Sequence, residues 1–347
     1  MKKTDMVELL EKIEAIPSPS GYTAEVIDFL AGLFRKAGLR PVITNKGSLV
    51  VCEHPKPVAA CAAHVDTLGA MVSSVCGDGT LRVAQVGGWP WPSFEGEYLT
   101  VLSSSNGKKW RGTLLFDNPA AHVNRKIGST ERSGDNMHVR LDAEVKNAAD
   151  VEKLGIGAGD FVFFDHRFEV TETGFIRSRF LDDKAGSAVL ADIVLRNADR
   201  LSKIPAAFLF SNYEEVGHGA SSGLPRCISE MIAVDMGVVG REVSGKETAV
   251  SICAKDSTGP HDYELRTRLV NLARGEKIPY VVDVFPFYGS DARAALGAGY
   301  DVKVSVIGPG VSASHGVERT HVKGMEATSR LVEAYLKALP KTGGKAA

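Results

Sequence analysis

Two rhythms of apolar and polar positions run along the chain. Ile27, Leu30, Leu33 and Phe34 recur at helical spacing, predicting a helix over 22–37, and an amphipathic helix is predicted over 3–15. Between them, Pro17-Ser18-Pro19-Ser20-Gly21 punctuates the chain. Apolar runs at 47–53 and 57–67 lack clean alternation, as in strands covered on both faces. After Phe180 the same texture returns. Helices are predicted over 183–198, 261–277, 290–299 and 321–338, and strands over 206–211, 231–237, 280–285 and 302–308. This alternation predicts an α/β fold with a mostly parallel central sheet flanked by helices.

The region 72–165 differs. TLRVAQVG, EYLTVLSS and KKWRGTLLF are short β-branched and aromatic runs broken by glycine turns, which predicts an inserted β-rich, barrel-like domain. The α/β domain would then be discontinuous, 1–71 with 166–340, and 341–347 a disordered Lys/Gly/Ala tail. Within the insert, WPWPSF (89–94) reads as a packed aromatic plug or subunit contact rather than a substrate surface.

Composition narrows the function classes. With 41 basic and 42 acidic side chains the net charge is -1, which gives no support to a nucleic-acid or membrane partner. Asp5, Glu8, Glu11 and Glu14 interrupt the first segment, so it does not read as a signal peptide, and no apolar run reaches membrane-spanning length. Five cysteines (Cys52, Cys61, Cys76, Cys227, Cys253) form no CxxC pair. They read mostly as small buried side chains in a reducing compartment, and the cytoplasm is the expected location.

The ends of the apolar runs carry the chemistry. AAHVDT places His64 and Asp66 two apart, on one side of an extended segment. RFLDDKAG supplies Asp182 and Asp183, FLFSNYEE supplies Glu214 and Glu215, IAVDMG supplies Asp235, and VIGPGVSASH leads to His315. Each has a plainer reading: Asp183 as a helix cap, His315 as a surface loop residue, Asp235 as a loop hydrogen-bond partner. Together, Asp182, Glu214, Glu215 and Asp235 would crowd four carboxylates into one crevice, and like charges there force protons onto some of them. Divalent cations remove the conflict. Carboxylate and imidazole donors suit zinc, with cobalt or manganese as alternatives, and the histidines disfavour magnesium. There are more donors than one ion needs. Two ions about 4 Å apart can generate hydroxide from a shared water and polarise a carbonyl. In the doublet Glu214-Glu215, one acid would then bind metal while its neighbour takes the proton.

HVDTLG, FLDDKAG, NYEEVGHGA, AVDMG, YGSDA and SHGVE, in this order, resemble the motifs of the dinuclear metallo-aminopeptidases of the glutamyl and deblocking aminopeptidase family. That family includes the tetrahedral TET assemblies and members formerly labelled endoglucanases. The resemblance implies an aminopeptidase with two divalent ions per subunit. His64, Asp182 and Asp235 would hold one ion, and Asp182, Glu215 and His315 the other. Asp66 would orient His64, and Asp183 would follow a cis peptide and support the site. Hydrolysis of the N-terminal peptide bond would use a metal-bridging water with Glu214 as general base. It also implies peptide substrates and a homo-oligomer, with the insert making dimer contacts and dimers able to build a dodecamer.

The chain departs from the family in two places. It reads YGSDA where many members have GGTDA, so Tyr288 and Ser290 alter the presumed substrate wall, and ASHGVE where many have YIHSPVE. His321 reads as a helix cap rather than a rival ligand, and His218 as a residue held by a backbone hydrogen bond. A related metal-dependent carboxypeptidase or N-acyl amino-acid or peptide deacylase would use the same water and base. A metal-bound scaffold would have no need of Glu214, and a glycosidase no need of the histidines.

Overall fold

The computed structural model describes residues 6–340, so the expected tail at 341–347 and the start of the first helix lie outside the described residues. The chain divides into two compact units, Met1–Thr67 with Arg167–Ala347, and Leu68–His166.

The discontinuous unit is built on a 13-stranded mixed sheet. Its centre is parallel: Ala206–Ser211, Ala59–His64, Glu230–Val234 and Lys303–Ser312 lie side by side in that order. Ala59–His64 and Ala206–Ser211 are buried at every position, which explains their unbroken apolar sequences. Antiparallel strands occupy the flanks: Leu49–Val51 against Ala206–Ser211, Val250–Asp256 and Glu318–His321 against Lys303–Ser312, and Phe175–Ser178 against Glu318–His321.

The helices fall close to their predicted places: Met6–Glu14, Ala24–Lys36, Leu181–Arg196, Tyr263–Gly275, Asp291–Gly297 and Val322–Ala338. Leu181–Arg196 is buried at every residue but the last, so its small side chains (Ala185, Gly186, Ser187, Ala188) let it sit inside the unit. At Gly186 a Cβ would meet Val234 O and Asp183 Oδ1, each at 2.2 Å, so only glycine permits this approach of helix to sheet.

The second unit is a closed six-stranded barrel, in the order Gly69–Val75, Leu81–Val86, Met137–Leu141, Lys109–Phe116, Tyr98–Leu102, Phe161–Phe164. Closure leaves no free sheet edge. Trp89 of the aromatic–proline segment is buried against Trp91, Phe94 and Phe164, with ring centroids 4.7, 4.5 and 5.4 Å away, and its indole N–H donates to Gly69 O. That segment is therefore the packed plug. A short helix, Ala148–Lys153, also lies here, capped by Asn147.

Cysteine burial is a partial correction. Cys61 and Cys253 are buried, but Cys52 and Cys76 are half-buried and Cys227 is exposed. Cys227 lies in the irregular segment before Glu230–Val234, where the preceding apolar texture no longer reports burial.

Candidate metal centre

Parallel strands bring their carboxyl ends to one edge of the sheet, and that edge gathers the polar residues. His64 closes Ala59–His64, Asp235 follows Glu230–Val234, and the segment after Ser211 leads to Glu214 and Glu215. Asp182 and Asp183 stand at the start of the buried helix, joined by a cis peptide bond. His315 comes from the loop between Lys303–Ser312 and Glu318–His321, with a left-handed φ of 63°.

His64 is the centre of the cluster. Its Nε2 lies 3.3 Å from Asp182 Oδ1 and 3.7 Å from Glu214 Oε2. His315 Nε2 lies 3.5 Å from Asp182 Oδ2 and 3.7 Å from Glu215 Oε2. Among the described residues, His64–Asp182–Glu215 and His64–Asp183–Asp235 are groups whose donors all lie within 4.8 Å of one another. All seven expected residues thus meet, with one difference in grouping: Asp183, rather than Asp182, joins His64 and Asp235. Both Asp183 oxygens are already engaged, Oδ1 by Gly186 N–H and Oδ2 by His64 N–H. Asp183 therefore caps the helix and braces the histidine at once. Ser187 Oγ donates to His64 O and holds the same backbone from the next helical turn.

Asp66 acts differently from the expectation. The His64 ring meets the Asp66 main-chain carbonyl, Nδ1 to O at 3.0 Å, whereas the carboxylate lies 3.7 Å from Nδ1. That carboxylate instead accepts Glu214 N–H at 3.1 Å, Glu215 N–H at 3.3 Å and the Ser20 hydroxyl. The strand ends at His64, so the alternation that would have put both side chains on one side stops there. Asp66 consequently fixes the histidine through its main chain and the glutamate doublet through its side chain.

Other residues were not assigned from sequence. Glu318 is 1% exposed and accepts Asp182 N–H at 3.0 Å and His315 N–H at 2.9 Å. Asp291 receives the Ser211 hydroxyl, and a Cβ at Gly219 would meet Asp291 Oδ1 at 2.3 Å and Glu214 Cγ at 3.2 Å. Both acids belong to the quoted motifs SHGVE and YGSDA, which was the available signal. His321 caps the last helix, accepting Lys323 N–H, and the His218 backbone N–H donates to Tyr213 O.

The electrostatics show a site short of positive charge. Burial pushes the Glu214 and Glu215 carboxyls well above the usual range, helped by Asp235 and Asp182 respectively. Burial, then Asp182, lifts Asp235 to about 7 and Glu318 to about 8. Asp182 goes the other way: burial opposes its charge, but His315 and His64 hold it low. Burial opposes a charged His64 ring, and the surrounding carboxylates, Asp182 foremost, outweigh it and raise its pKa. In the metal-free chain, protons supply the charge that the carboxylates lack.

The donor set fits divalent ions. His64 Nε2 and Glu215 Oε1 are buried and make no hydrogen bond. Two donors sharing a tetrahedral ion through bonds of ~2.0–2.2 Å stand ~3.4 Å apart, close to the His64–Asp182 and His315–Asp182 separations of 3.3 and 3.5 Å.

Comparison with known proteins gives the chain a family and a fold. The chain is 42% identical over 337 residues to the putative aminopeptidase YhfE of Bacillus subtilis, covering 96% of this chain and 97% of the relative. The fold is that of the TET aminopeptidase from Thaumarchaeota archaeon SCGC AB-539-E09, with a TM-score of 0.85, 19% identity, and 96% and 97% of the two chains covered. The Pyrococcus horikoshii TET1 peptidase, which can assemble into a tetrahedron or a large octahedral shell, has a TM-score of 0.84 at 22% identity, with 96% and 100% covered. The profile of the M42 glutamyl aminopeptidases matches residues 47–331, and the chain belongs to that family.

Proposed function

We propose that this protein is an aminopeptidase dependent on two divalent metal ions, zinc by preference, that removes amino-terminal residues from peptides. The observation that carries the reading is the difference in surroundings between the two side chains of the glutamate doublet. Glu215 Oε1 is buried without a hydrogen bond, and its Oε2 faces His315. Glu214, whose side chain accepts no hydrogen bond among the described residues, faces His64 from 3.7 Å.

His64, Asp182 and Asp235 would hold one ion and Asp182, Glu215 and His315 the other. When bound, the pair supplies an activated water and a Lewis acid for the scissile carbonyl. Glu214 takes the proton from the attacking water and returns it to the leaving amine. Asp66 keeps Glu214 and Glu215 in register by accepting both of their main-chain N–H groups.

Glu214→Gln tests the assignment. Hydrolysis of free-amine peptides should fall ~10²–10⁴-fold with the metal content unchanged; unaltered turnover would refute the base. Cleavage confined to N-blocked peptides would move the chain to the deacylase reading. We place the working enzyme in the cytoplasm as a homo-oligomer with dimer contacts through the barrel, testable by mass photometry. Among the described residues, no helix is long and apolar enough to cross a membrane.

A further inference from the structure

Glu318 stands between two donors that come from separate parts of the chain. Its strand, Glu318–His321, pairs with Phe175–Ser178, with Glu318 opposite Ser178. Four residues after Ser178 the chain reaches Asp182, and three residues before Glu318 lies His315. One carboxylate spans the gap: Oε2 accepts Asp182 N–H and Oε1 accepts His315 N–H. The connection is main-chain to main-chain, so it fixes where the two side chains start without using their donor atoms.

The His315 loop has particular need of such a tie. His315 and Ala313 both hold left-handed backbone, with φ of 63° and 58°, a conformation non-glycine residues keep only when their surroundings impose it. The His315 side chain is 34% exposed, whereas that of His64 is 1% exposed. His64 is fixed by the sheet, by Asp183 and by Ser187. Within the loop, Gly316 N–H donates to Ala313 O, and Arg179 Nη1 donates to Gly316 O.

We propose that Glu318 is a positioning residue that sets the Asp182–His315 spacing and thereby the affinity for the ion held by Asp182, Glu215 and His315. This rests on the two-ion reading above. Replacing one carboxylate oxygen by an amide nitrogen turns a donor toward an N–H donor and releases one of the two segments. Shortening the side chain by one methylene keeps the carboxyl group but loses the span. Either change weakens the His315-side ion more than the other, because two of its three donors, Asp182 and His315, are tied to Glu318, whereas the other ion shares only Asp182 with it and keeps His64 and Asp235.

The test is zinc titration by calorimetry of the chelator-stripped full chain, compared with Glu318→Gln and Glu318→Asp, with circular dichroism as a check on folding. The wild type should bind two ions. Each variant should bind one of them ~10–100-fold more weakly and the other with a clearly smaller loss. Hydrolysis in the variants should recover as zinc is raised, which a general loss of structure would not allow. Two ions bound as in the wild type would overturn the proposal. Equal weakening at both sites, or loss of folded structure in both variants, would overturn it too by marking Glu318 as a support of the fold. A wild type binding fewer than two ions would instead overturn the two-ion reading.

Discussion

The two units of this chain handle charge in opposite ways. In the barrel, Arg82 grips Asp117 through two hydrogen bonds of 2.8 and 3.0 Å, Arg111 grips Asp165 at 2.8 and 2.7 Å, and Arg132 pairs with Glu95. Each of these three acids meets a base at a partly exposed position where water shares the load. In the α/β unit, Asp182, Asp183, Glu214, Glu215, Asp235, Asp291 and Glu318 crowd around two histidines, and most are buried. A charge arrangement that costs stability and persists in a fold points to a ligand that relieves it, whereas a self-satisfied one points to architecture.

That contrast predicts how each unit responds to perturbation. The largest effect belongs to the site. Asp235 and Glu318, at about 7 and about 8 in the folded metal-free chain, stand above their unfolded values of ~4. The folded state therefore binds more protons than the unfolded one between these values. The stability these groups contribute is complete below pH ~4 and is lost as pH rises through 7 to 8. His64, also raised, acts in the same direction. Chelator-treated protein should lose stability in denaturant titrations from pH 5 to 8.5, and saturating zinc should abolish most of that slope. A flat profile in chelator would remove the electrostatic argument for the ions.

The smallest effect belongs to the barrel. Arg111→Ala removes a pair whose side chains are 48% and 37% exposed. It should cost no more than ~1 kcal/mol in denaturant titrations and leave kcat unchanged. A loss of several kcal/mol would show that the two units do not differ as described.

Much of this was legible in the sequence, for identifiable reasons. The strand Ala206–Ser211 matches its predicted span because it is buried throughout and then runs into acids. The helix at Val322–Ala338 and its His321 cap were equally plain. Val250–Asp256 escaped notice: its apolar positions form no alternation because it is interior to the sheet, paired antiparallel with Lys303–Ser312 and parallel with Tyr280–Val284. The site's donors could be read from residue type at strand ends, but the hydrogen bonds that hold them could not. The Asp66 carboxylate reaches amides 148 and 149 residues away, and Glu318 reaches one 136 residues away. Side-chain to main-chain bonds over such separations leave no local periodicity. The departure at Tyr288 also takes shape only in three dimensions. Its ring is buried and its hydroxyl donates to Met236 O, beside Asp235, so it is part of the wall rather than a free substrate contact.

The central claim is that five residues, His64, Asp182, Glu215, Asp235 and His315, converge on a pair of ions and leave Glu214 unbound. The most direct measurement is anomalous scattering at the zinc edge from zinc-loaded crystals. Two peaks should appear ~3.5–4 Å apart, one contacted by His64, Asp182 and Asp235 and the other by Asp182, Glu215 and His315, with Glu214 bound to neither. A single peak, peaks away from these residues, or Glu214 bound directly to zinc would contradict the account.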